Sequence, residues 1–411
     1  MAGTTTTLAF LLKQIYSSRA VENAVYESNP LFAMMRKEGG FTGSKHIHAV
    51  KYRDGQGRNP TFSTAQTIAQ SAAGTGNGVQ FGVTRVKNYQ VYTLETEAIL
   101  AGRDDRGSLM RTLTEEVDGA LNNLGRDISV NMFRDGAGDR GQVTNVNSLI
   151  LTVGENVTNF EVGMIIVAAT GSTKTAALRN SGTGQTVTAV DRDAGTITID
   201  ANTDTITTND WLFVKGDRQV AAITANSQYL KLAGLDAWNP ATAPAASENF
   251  FDVDRSVDTS RLGGLRLDIS SYNPEEGVIT ALTRMAREGH NPQHLFTSFL
   301  DGSNIHKSLG SKAETEYTQV GDIGFSTIRF TGPKGDVRLQ MDQNCPSGVG
   351  RLITLDTWAL KHLGDMINLL DLDGARLSRE ESADRFEGRM ALYGNIVCYA
   401  PAKNMRLVLP S

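Results

Sequence analysis

The stretch RMALYGNIVCYAPAKNMRLVLP, residues Arg389–Pro410, decides more about the fold than any other segment. It contains two apolar runs, Met390–Tyr399 and Met405–Leu409, separated by residues typical of a turn. Both runs consist mainly of apolar side chains. The stretch therefore predicts two strands.

Upstream of this end, the pattern predicts a helix followed by a buried strand. Asn273 stands at the N-cap position, Pro274 suits the first helical position, and Gly289 suits the end. Leu295–Phe299 then reads as a strand and Ser303–Leu309 as a short helix. The expected buried stripe of the first helix is Val278, Ile279, Leu282, Met285 and Ala286. Further strands are expected at Ser326–Phe330, Val337–Met341 and Arg351–Leu355.

A long helix is predicted over residues 104–135. Its apolar positions recur every three or four residues and are Leu109, Leu113, Val117, Leu121, Leu124, Ile128 and Met132. At ~1.5 Å per residue such a helix runs about 45 Å. That length fits a spine that crosses a domain.

The segment before this helix predicts a long hairpin. His48, Val50 and Tyr52 alternate as in a strand, and the alternation returns at Val79 to Val83. The tip between them, residues 54–78, offers only Phe62 and Ile68 as large apolar anchors. A loop of this length is uncommon inside a domain, so the tip is expected either to be disordered or to lie over a neighbouring molecule. Residues 4–38 predict a helical arm of the kind that docks on another surface.

Residues 141–222 differ in composition from the rest of the chain and predict an all-β insertion, for which a small barrel is one possible form. Asp193-Ala194-Gly195 predicts a hairpin turn between two of its strands. The expected strands are Val146–Val153, Met164–Ala169, Thr186–Val190, Thr196–Asp200 and Trp211–Val214.

Composition excludes several classes of protein. The chain has 411 residues with 40 Lys and Arg against 45 Asp and Glu, a net charge of −5 that argues against a dedicated DNA-binding protein. Its 27 Arg outnumber its 13 Lys, which favours bidentate pairs of the kind found at interfaces. Cys345 and Cys398 are too few for a disulfide framework and are expected to be buried. No apolar run approaches the ~20 residues of a membrane span, and no secretion signal opens the chain.

Two strings imitate phosphate-binding motifs. Gly136 to Gly141, GAGDRG, matches the dinucleotide fingerprint, but it follows a helix and precedes strands, which is the reverse of what the chemistry needs. It is interpreted as a flexible domain junction. Gly171 to Thr175 resembles the end of a P-loop but lacks the glycine that builds the phosphate nest, so a polar hairpin is expected.

Three further strings imitate metal sites. His46 and His48 share one face of a strand, but no Cys or acidic motif accompanies them. His290 and His294 span Pro292, which removes the helical ligand geometry. Asp371 to Gly374 does not meet the calcium-loop spacing. With no hydrolase motif either, no catalytic residue, cofactor or metal site is assigned, and the chain is not expected to be an enzyme.

The order of these segments resembles the major capsid proteins of tailed bacteriophages, the Hong Kong 97-type fold. The most specific part is the end of the chain, where Leu355 to Trp358, Gly374, Phe386 to Arg389 and Tyr393 to Pro401 resemble the closing strands of such subunits. Pro274 to Ser298 is similar to the helix-strand step of the family's axial domain. The likeness covers nearly the whole chain apart from residues 141–222.

This resemblance implies an α+β capsid fold with an all-β insertion. Its expected parts are an N-terminal arm (1–45), an extended β-hairpin loop (46–100), the spine helix of a peripheral domain (101–140), the inserted all-β domain (141–222), a mainly axial region (223–340) and C-terminal strands that close the axial and peripheral domains (341–411).

The implied function is that of a major capsid protein in the virion, assembled in the bacterial cytoplasm. Copies of the chain would form hexamers and pentamers of an icosahedral shell around double-stranded DNA. The expected partners are other copies of the chain, separate scaffolding and portal proteins, a cement protein, and packaged DNA in non-specific contact; no membrane is expected.

One departure from the family concerns covalent cross-linking. Some relatives join a Lys of the extended loop to an Asn of a neighbour with the help of a Glu. Residues 54–78 contain no Lys, and the nearest are Lys51 and Lys87. A non-covalent shell is therefore expected.

Two alternatives stay open beside the capsid. The same fold would serve an encapsulin-like nanocompartment, which a cargo protein in place of a genome would reveal. A multidomain protein that binds carbohydrate through residues 141–222 would instead be a monomer that binds glycans.

Overall fold

The structure is a computed structural model that describes residues 29–71, 76–97, 106–173, 176–218, 229–246, 248–309, 314–320, 323–370, 377–380 and 383–410. Most of the predicted N-terminal arm, together with Lys174, Thr175 and Asp371 to Gly374, lies outside the described residues. The helices are α1 (Pro30–Met34), α2 (Phe62–Gln70), α3 (Arg106–Phe133), α4 (Leu235–Trp238), α5 (Pro274–Arg287) and α6 (Phe299–Leu309).

The strands fall on both sides of α4 in the chain. Before it lie β1 (Arg36–Glu38), β2 (Lys45–Arg53), β3 (Asn77–Thr84), β4 (Val86–Glu95), β5 (Asp139–Gln142), β6 (Asn145–Asn147), β7 (Ile150–Thr152), β8 (Ile165–Ala169), β9 (Gln185–Asp191), β10 (Thr196–Ile199) and β11 (Trp211–Val214). After it lie β12 (Asn249–Phe250), β13 (Val253–Asp254), β14 (Leu265–Asp268), β15 (His294–Thr297), β16 (Glu314–Val320), β17 (Ile323–Gly332), β18 (Gly335–Met341), β19 (Val349–Ile353), β20 (Trp358–His362), β21 (Asn368–Leu369), β22 (Leu377–Arg379), β23 (Arg385–Cys398) and β24 (Met405–Val408).

The end of the chain supplies strands to two different sheets. β23 is the centre of a six-stranded sheet, where it pairs along its length with β4 and on its other edge with β20, β21 and β22. β24 lies in a seven-stranded mixed sheet of order β14-β24-β19-β15-β18-β17-β16. The two predicted strands of the end are therefore confirmed, and the turn between them carries the chain from one sheet to the other.

The spine helix packs against the six-stranded sheet. Of the predicted stripe, the positions whose side chains are described are all buried: Val117, Leu121, Leu124, Ile128 and Met132. They share one hydrophobic core with Tyr92 and Leu94 of β4 and with Trp358 of β20. A periodic apolar stripe buries itself wherever a sheet face is available, which is why sequence periodicity located this helix.

Helix α5 covers the mixed sheet and corrects one predicted contact. Val278, Leu282 and Met285 are buried as expected, but Ile279 is 43% exposed and Ala281 takes its place in the core. Val278, Ala281, Leu282 and Met285 follow the i, i+3, i+4, i+7 spacing of one helix face, and Ile279 lies about 100° round the helix from the centre of that face. Asn273 occupies the N-cap position, but its side chain makes no capping hydrogen bond.

Residues 139–214 form a separate antiparallel sheet of seven strands in the order β5-β11-β8-β9-β10-β7-β6, with a hydrophobic cluster of its own. The turn at Asp193 to Gly195 joins β9 and β10 as predicted. The single strand expected at Val146–Val153 is wrong: a turn at Ser148, with φ of 55°, divides it into β6 and β7. The edge strands β5 and β6 do not pair with each other among the described residues, so the sheet is not a closed barrel.

The hairpin is present, but its tip is not structureless. β2 and β3 pair antiparallel from Lys45 opposite Thr84 to Arg53 opposite Asn77. Between them lies α2, a helix that the sequence reading missed because its apolar residues are small or isolated. The two expectations for the tip, disorder or contact with a neighbour, both overlooked this local order.

Candidate assembly surfaces

The outer half of the hairpin has almost no support from its own chain. No side chain of α2 is buried, and Phe62 is 81% exposed. Thr61 precedes the helix but supplies no side-chain cap. A nine-residue helix is too short to be stable by itself in water, so its side chains need burial that this chain does not provide.

The base of the hairpin, by contrast, is fixed to the body. The amide of Gly82 donates to the carbonyl of Phe251 at 3.0 Å, and Lys45 forms an exposed ion pair with Asp252 at 2.5 Å. The hairpin therefore leaves the body in a defined direction and presents α2 at its far end.

An aromatic cluster fills the hairpin base around His48. Its ring stacks on Phe81 at 5.4 Å between centroids and meets Tyr399 edge-on at 5.3 Å, with Trp238 at 5.8 Å. The Nε2 atom lies 3.2 Å from the carbonyl oxygen of Cys398, so this nitrogen carries the proton and donates. Burial lowers the pKa of His48 to about 4, and this hydrogen bond opposes that shift.

The structure brings the two histidines of β2 together without forming a metal site. The rings of His46 and His48 lie 6.0 Å apart and nearly parallel. Across the described residues, no three His, Cys, Asp or Glu side chains are placed to share a metal ion. His290 and His294 are separated, since His290 follows α5 and His294 is buried in β15. Burial lowers the pKa of both.

Residues 136–141 comprise a tight bend over 136–138 and the start of β5, which corrects the expected flexible junction. All six are buried, and Gly136 and Gly138 have φ of 88° and 89°, a conformation that favours glycine. A Cβ on Gly136 would lie 2.8 Å from the ring of Tyr229. Asp139, the first residue of β5, pairs at 3.0 Å with Arg134, which directly follows α3.

A buried charge cluster fixes the separate β sheet to the spine helix. Asp127 of α3 bonds Arg140 of β5, Lys231 at 3.0 Å and Asn88 of β4. Lys231 also pairs with Asp217 at 2.8 Å. Burial raises the pKa of Asp127, but the two cations outweigh it and hold that pKa below its ordinary value.

No sequence pattern predicted this cluster, because some of its members are far apart in the chain. Asn88 is 39 residues from Asp127 and 143 residues from Lys231. Its positive and negative charges are equal in number, so it neutralises itself rather than attracting a charged ligand. We interpret it as structural.

Both cysteines are buried, as predicted. Burial raises the pKa of Cys345 and raises that of Cys398 to about 12. Neither thiol is therefore reactive near neutral pH. None of the described helices combines the length and the apolar character needed to cross a membrane.

The chain is similar in structure to capsid proteins. It matches a chain of the cyanophage A-1(L) capsid asymmetric unit with a TM-score of 0.55 and 11% identity, covering 93% of each chain. A chain of the satellite phage P4 procapsid, whose structure includes the size determination protein Sid, gives a TM-score of 0.42 and 8% identity over 96% of this chain and 91% of that one. The SrpI encapsulin of Synechococcus elongatus gives a TM-score of 0.43 and 9% identity over 97% of this chain and 94% of that one.

No protein-family profile and no curated protein sequence matches the chain. At these identities the structural likeness establishes the fold alone. It confirms the resemblance to tailed-phage capsid proteins that the order of segments indicated.

Proposed function

We propose that this chain is the major capsid protein of a tailed bacteriophage, a shell subunit without enzymatic turnover. The observation that carries the proposal is the hairpin of residues 45–84, which is anchored at its base and lacks burial at its tip. In a closed shell, each tip would be covered by the neighbouring copy, which would supply the missing apolar contact. The fold shared with the cyanophage A-1(L) capsid chain supports this reading.

The proposed layout follows the expected parts. Residues 1–45 would be the N-terminal arm, 46–100 the extended loop, 101–140 the spine of the peripheral domain, 223–340 mainly the axial domain and 341–411 the closing strands. Residues 141–222 would be an inserted domain. Their separate sheet and hydrophobic cluster support this boundary, and the charge cluster at Asp127 supports a fixed rather than a tethered attachment.

The proposed assembly consists of hexamers and pentamers in an icosahedral virion shell that holds double-stranded DNA. Its partners would be further copies of the chain and separate scaffolding, portal and cement proteins. With a net charge of −5, contact with DNA would be weak and non-specific. The shell would be held without covalent links, since residues 54–78 contain no Lys.

The first test is sedimentation velocity with negative-stain electron microscopy on the full chain expressed alone, with and without a crowding agent. Rings of five or six copies, or closed shells, are the expected result. A monomer of 44.4 kDa under every condition would mean either that assembly requires the separate scaffolding protein or that the assignment to the capsid family is wrong, and glycan-binding and hydrolase assays of the chain would follow.

A second measurement separates a virion shell from a nanocompartment. Particles purified from the native source are expected to contain a double-stranded genome. A single packaged protein in place of nucleic acid would instead assign the chain to an encapsulin-like compartment.

A further inference from the structure

A cleft lies where the separate β sheet meets β4 and the spine helix. Its volume is about 380 Å³, and β4, α3 and the loop before β8 all contribute to its walls. The charge cluster around Asp127 also lines it. Because that cluster fixes the separate β sheet to the spine helix, the cleft has a defined width in the isolated chain.

The residues at this cleft include several large apolar side chains. Tyr89 of β4 is 52% exposed, and Val162, in the loop before β8, is 66% exposed. Val91 lies two residues along β4 from Tyr89, on the same face, and is 47% exposed. The ring of Tyr393 on β23 meets that of Tyr89 edge-on at 5.8 Å between centroids. Apolar side chains grouped in this way mark a contact site, which single exposed residues do not.

The electrostatics of the cleft favour an uncharged partner. Each charged side chain among the described residues that line the cleft is already in an ion pair. The pairs join Arg126 to Glu161, Asp127 to Arg140 and Lys231, and Asp217 to the same two cations. A charged partner would therefore find no unpaired ion of opposite sign there, and its own charge would lose water without compensation.

Helix α2 has the properties that such a partner needs. Its nine residues, FSTAQTIAQ, include no charged side chain, and Phe62 is 81% exposed. Contact between α2 and the cleft would remove apolar surface of both from water without stripping water from a charge of the helix.

The hairpin holds α2 away from the cleft of its own chain. Only Arg85 separates β3 from β4, so the cleft at Tyr89 lies near the root of the hairpin. Strand β2 pairs with β3 and has nine residues, a length of about 30 Å, and α2 lies beyond its far end. The cleft that α2 can occupy is therefore that of another copy.

We infer that α2 of one copy occupies the cleft of the next copy, with Phe62 between Tyr89 and Val162. The inference rests on the proposed shell function and names the surface that covers the hairpin tip. Tip and cleft are different surfaces of one chain, so the contact is head-to-tail, and head-to-tail contacts between identical copies can close into rings. Val162 makes the separate β sheet part of the contact between subunits.

Disulfide trapping on the full chain tests this contact. The double variant Phe62→Cys/Val162→Cys is expected to give, on mild oxidation, a ladder of linked copies on a non-reducing gel that ends at five or six. The two native cysteines do not compete, because both are buried. Phe62→Cys/Ile150→Cys is the matched control and should stay unlinked, since Ile150 is 42% exposed on β7, three strands from β8 in the same sheet.

A mixture of single variants shows which copies the bond joins. Phe62→Cys and Val162→Cys, mixed in equal amounts before oxidation, should give linked dimers and no longer ladder, because each copy then carries one half of the contact. A ladder in the double variant that stops at dimers would instead indicate a two-fold contact and would overturn the head-to-tail arrangement.

A double-mutant cycle measures the coupling between tip and cleft. Phe62→Ser and Val162→Asp are each expected to weaken association about tenfold in sedimentation velocity. The combined variant should lose about the same factor, because both changes break one contact. Ile150→Asp is the control and should associate like the wild type. Losses that multiply to about a hundredfold would overturn the pairing of these two sites.

The failure of this contact can be told apart from the failure of the shell function. Rings or shells that form without a link between positions 62 and 162 would overturn the contact and leave the shell function intact. Each measurement is repeated on the chain co-expressed with its scaffolding protein. The absence of particles and of links in both preparations would overturn both proposals.

Discussion

Asp127 is the residue at which the spine helix, β4 and the separate β sheet meet. Its carboxylate is shared by buried Arg140 and by Lys231 and Asn88, which are half-buried. Buried ions of this kind are balanced only as a set, because removal of one leaves the others without compensation.

We expect Asp127→Asn to lower the free energy of unfolding by about 3–5 kcal/mol, since Arg140 and Lys231 would keep a buried excess of positive charge. Chemical denaturation monitored by circular dichroism measures this. The matched control is Asp252→Asn, which breaks the exposed pair with Lys45 and should cost less than about 1 kcal/mol. Equal losses in the two variants would contradict the structural role of the cluster.

His48 predicts a dependence of stability on pH. Its folded pKa of about 4 lies below the ordinary 6.5, so the unfolded chain binds the proton more tightly. Stability from this group is complete above pH 6.5 and is lost as pH falls towards 4. The groups that face it are His46 on β2, Lys361 on β20 and Tyr399 after β23.

We expect His48→Gln, which retains a donor for the carbonyl of Cys398, to flatten the stability profile between pH 6.5 and 4 by about 2–3 kcal/mol relative to the wild type. The difference between the variants is the informative quantity, because buried His294 and Asp342 titrate in the same range. Urea denaturation of both proteins at a series of pH values measures this difference in stability. The exposed His306→Gln serves as control, and an unchanged slope in His48→Gln would refute the prediction.

At the scale of elements, the packing round α3 leaves no room for a side chain beside one glycine and open space beside another. Gly234, at the start of α4, passes the end of the helix where a Cβ would overlap the carbonyl oxygens of Asn131 and Met132. Gly119, on the exposed side of the same helix, has no atom within 4 Å of the position of a Cβ.

The same substitution should therefore have opposite effects at the two sites. Gly234→Ala is expected to destabilise by about 2–3 kcal/mol through overpacking, because neither backbone can move away. Gly119→Ala is expected to stabilise by about 0.5–1 kcal/mol through helix propensity. Thermal and chemical denaturation of both variants measure the two changes in stability. A shift of the same sign in both would show that the close approach of Gly234 to α3 does not determine the effect of the substitution.

Helix α2 is expected to affect assembly without affecting folding. Phe62→Ser removes its largest exposed apolar side chain, so the unfolding free energy of the subunit should change by less than about 0.5 kcal/mol. Shell or ring formation in sedimentation velocity should be reduced, because the neighbour loses the contact. Val257→Ser, at a site 63% exposed elsewhere on the surface, is the matched control and should assemble normally. Normal assembly of Phe62→Ser would count against the role of the tip.

At the scale of the whole molecule, we expect the proposed shell to be held without covalent links between its subunits. Residues 54–78 lack a Lys, Lys51 pairs with Asp54, and Lys87 lies on β4 within the six-stranded sheet. Mature particles boiled in detergent should therefore run as a single band near 44.4 kDa. A ladder of covalent multimers on the same gel would disprove a non-covalent shell.

The sequence alone determined the elements whose burial follows a regular period. The spine stripe from Val117 to Met132, the strands at either end of Arg389–Pro410 and the hairpin stems could be placed because one face of each is apolar. Local periodicity is a property of neighbouring residues, and the chain carries it without reference to the fold. The same regularity, read as an ordered set, indicated the capsid fold.

Only the tertiary structure decided what depends on residues far apart in the chain. The partners of Asp127, the rigid turn after α3, and the outward position of Ile279 all follow from which surface meets which. The order in α2 was not predicted because its apolar residues are small or isolated and form no periodic stripe. Charge pairing and burial are set by distance in space, which a linear pattern does not record.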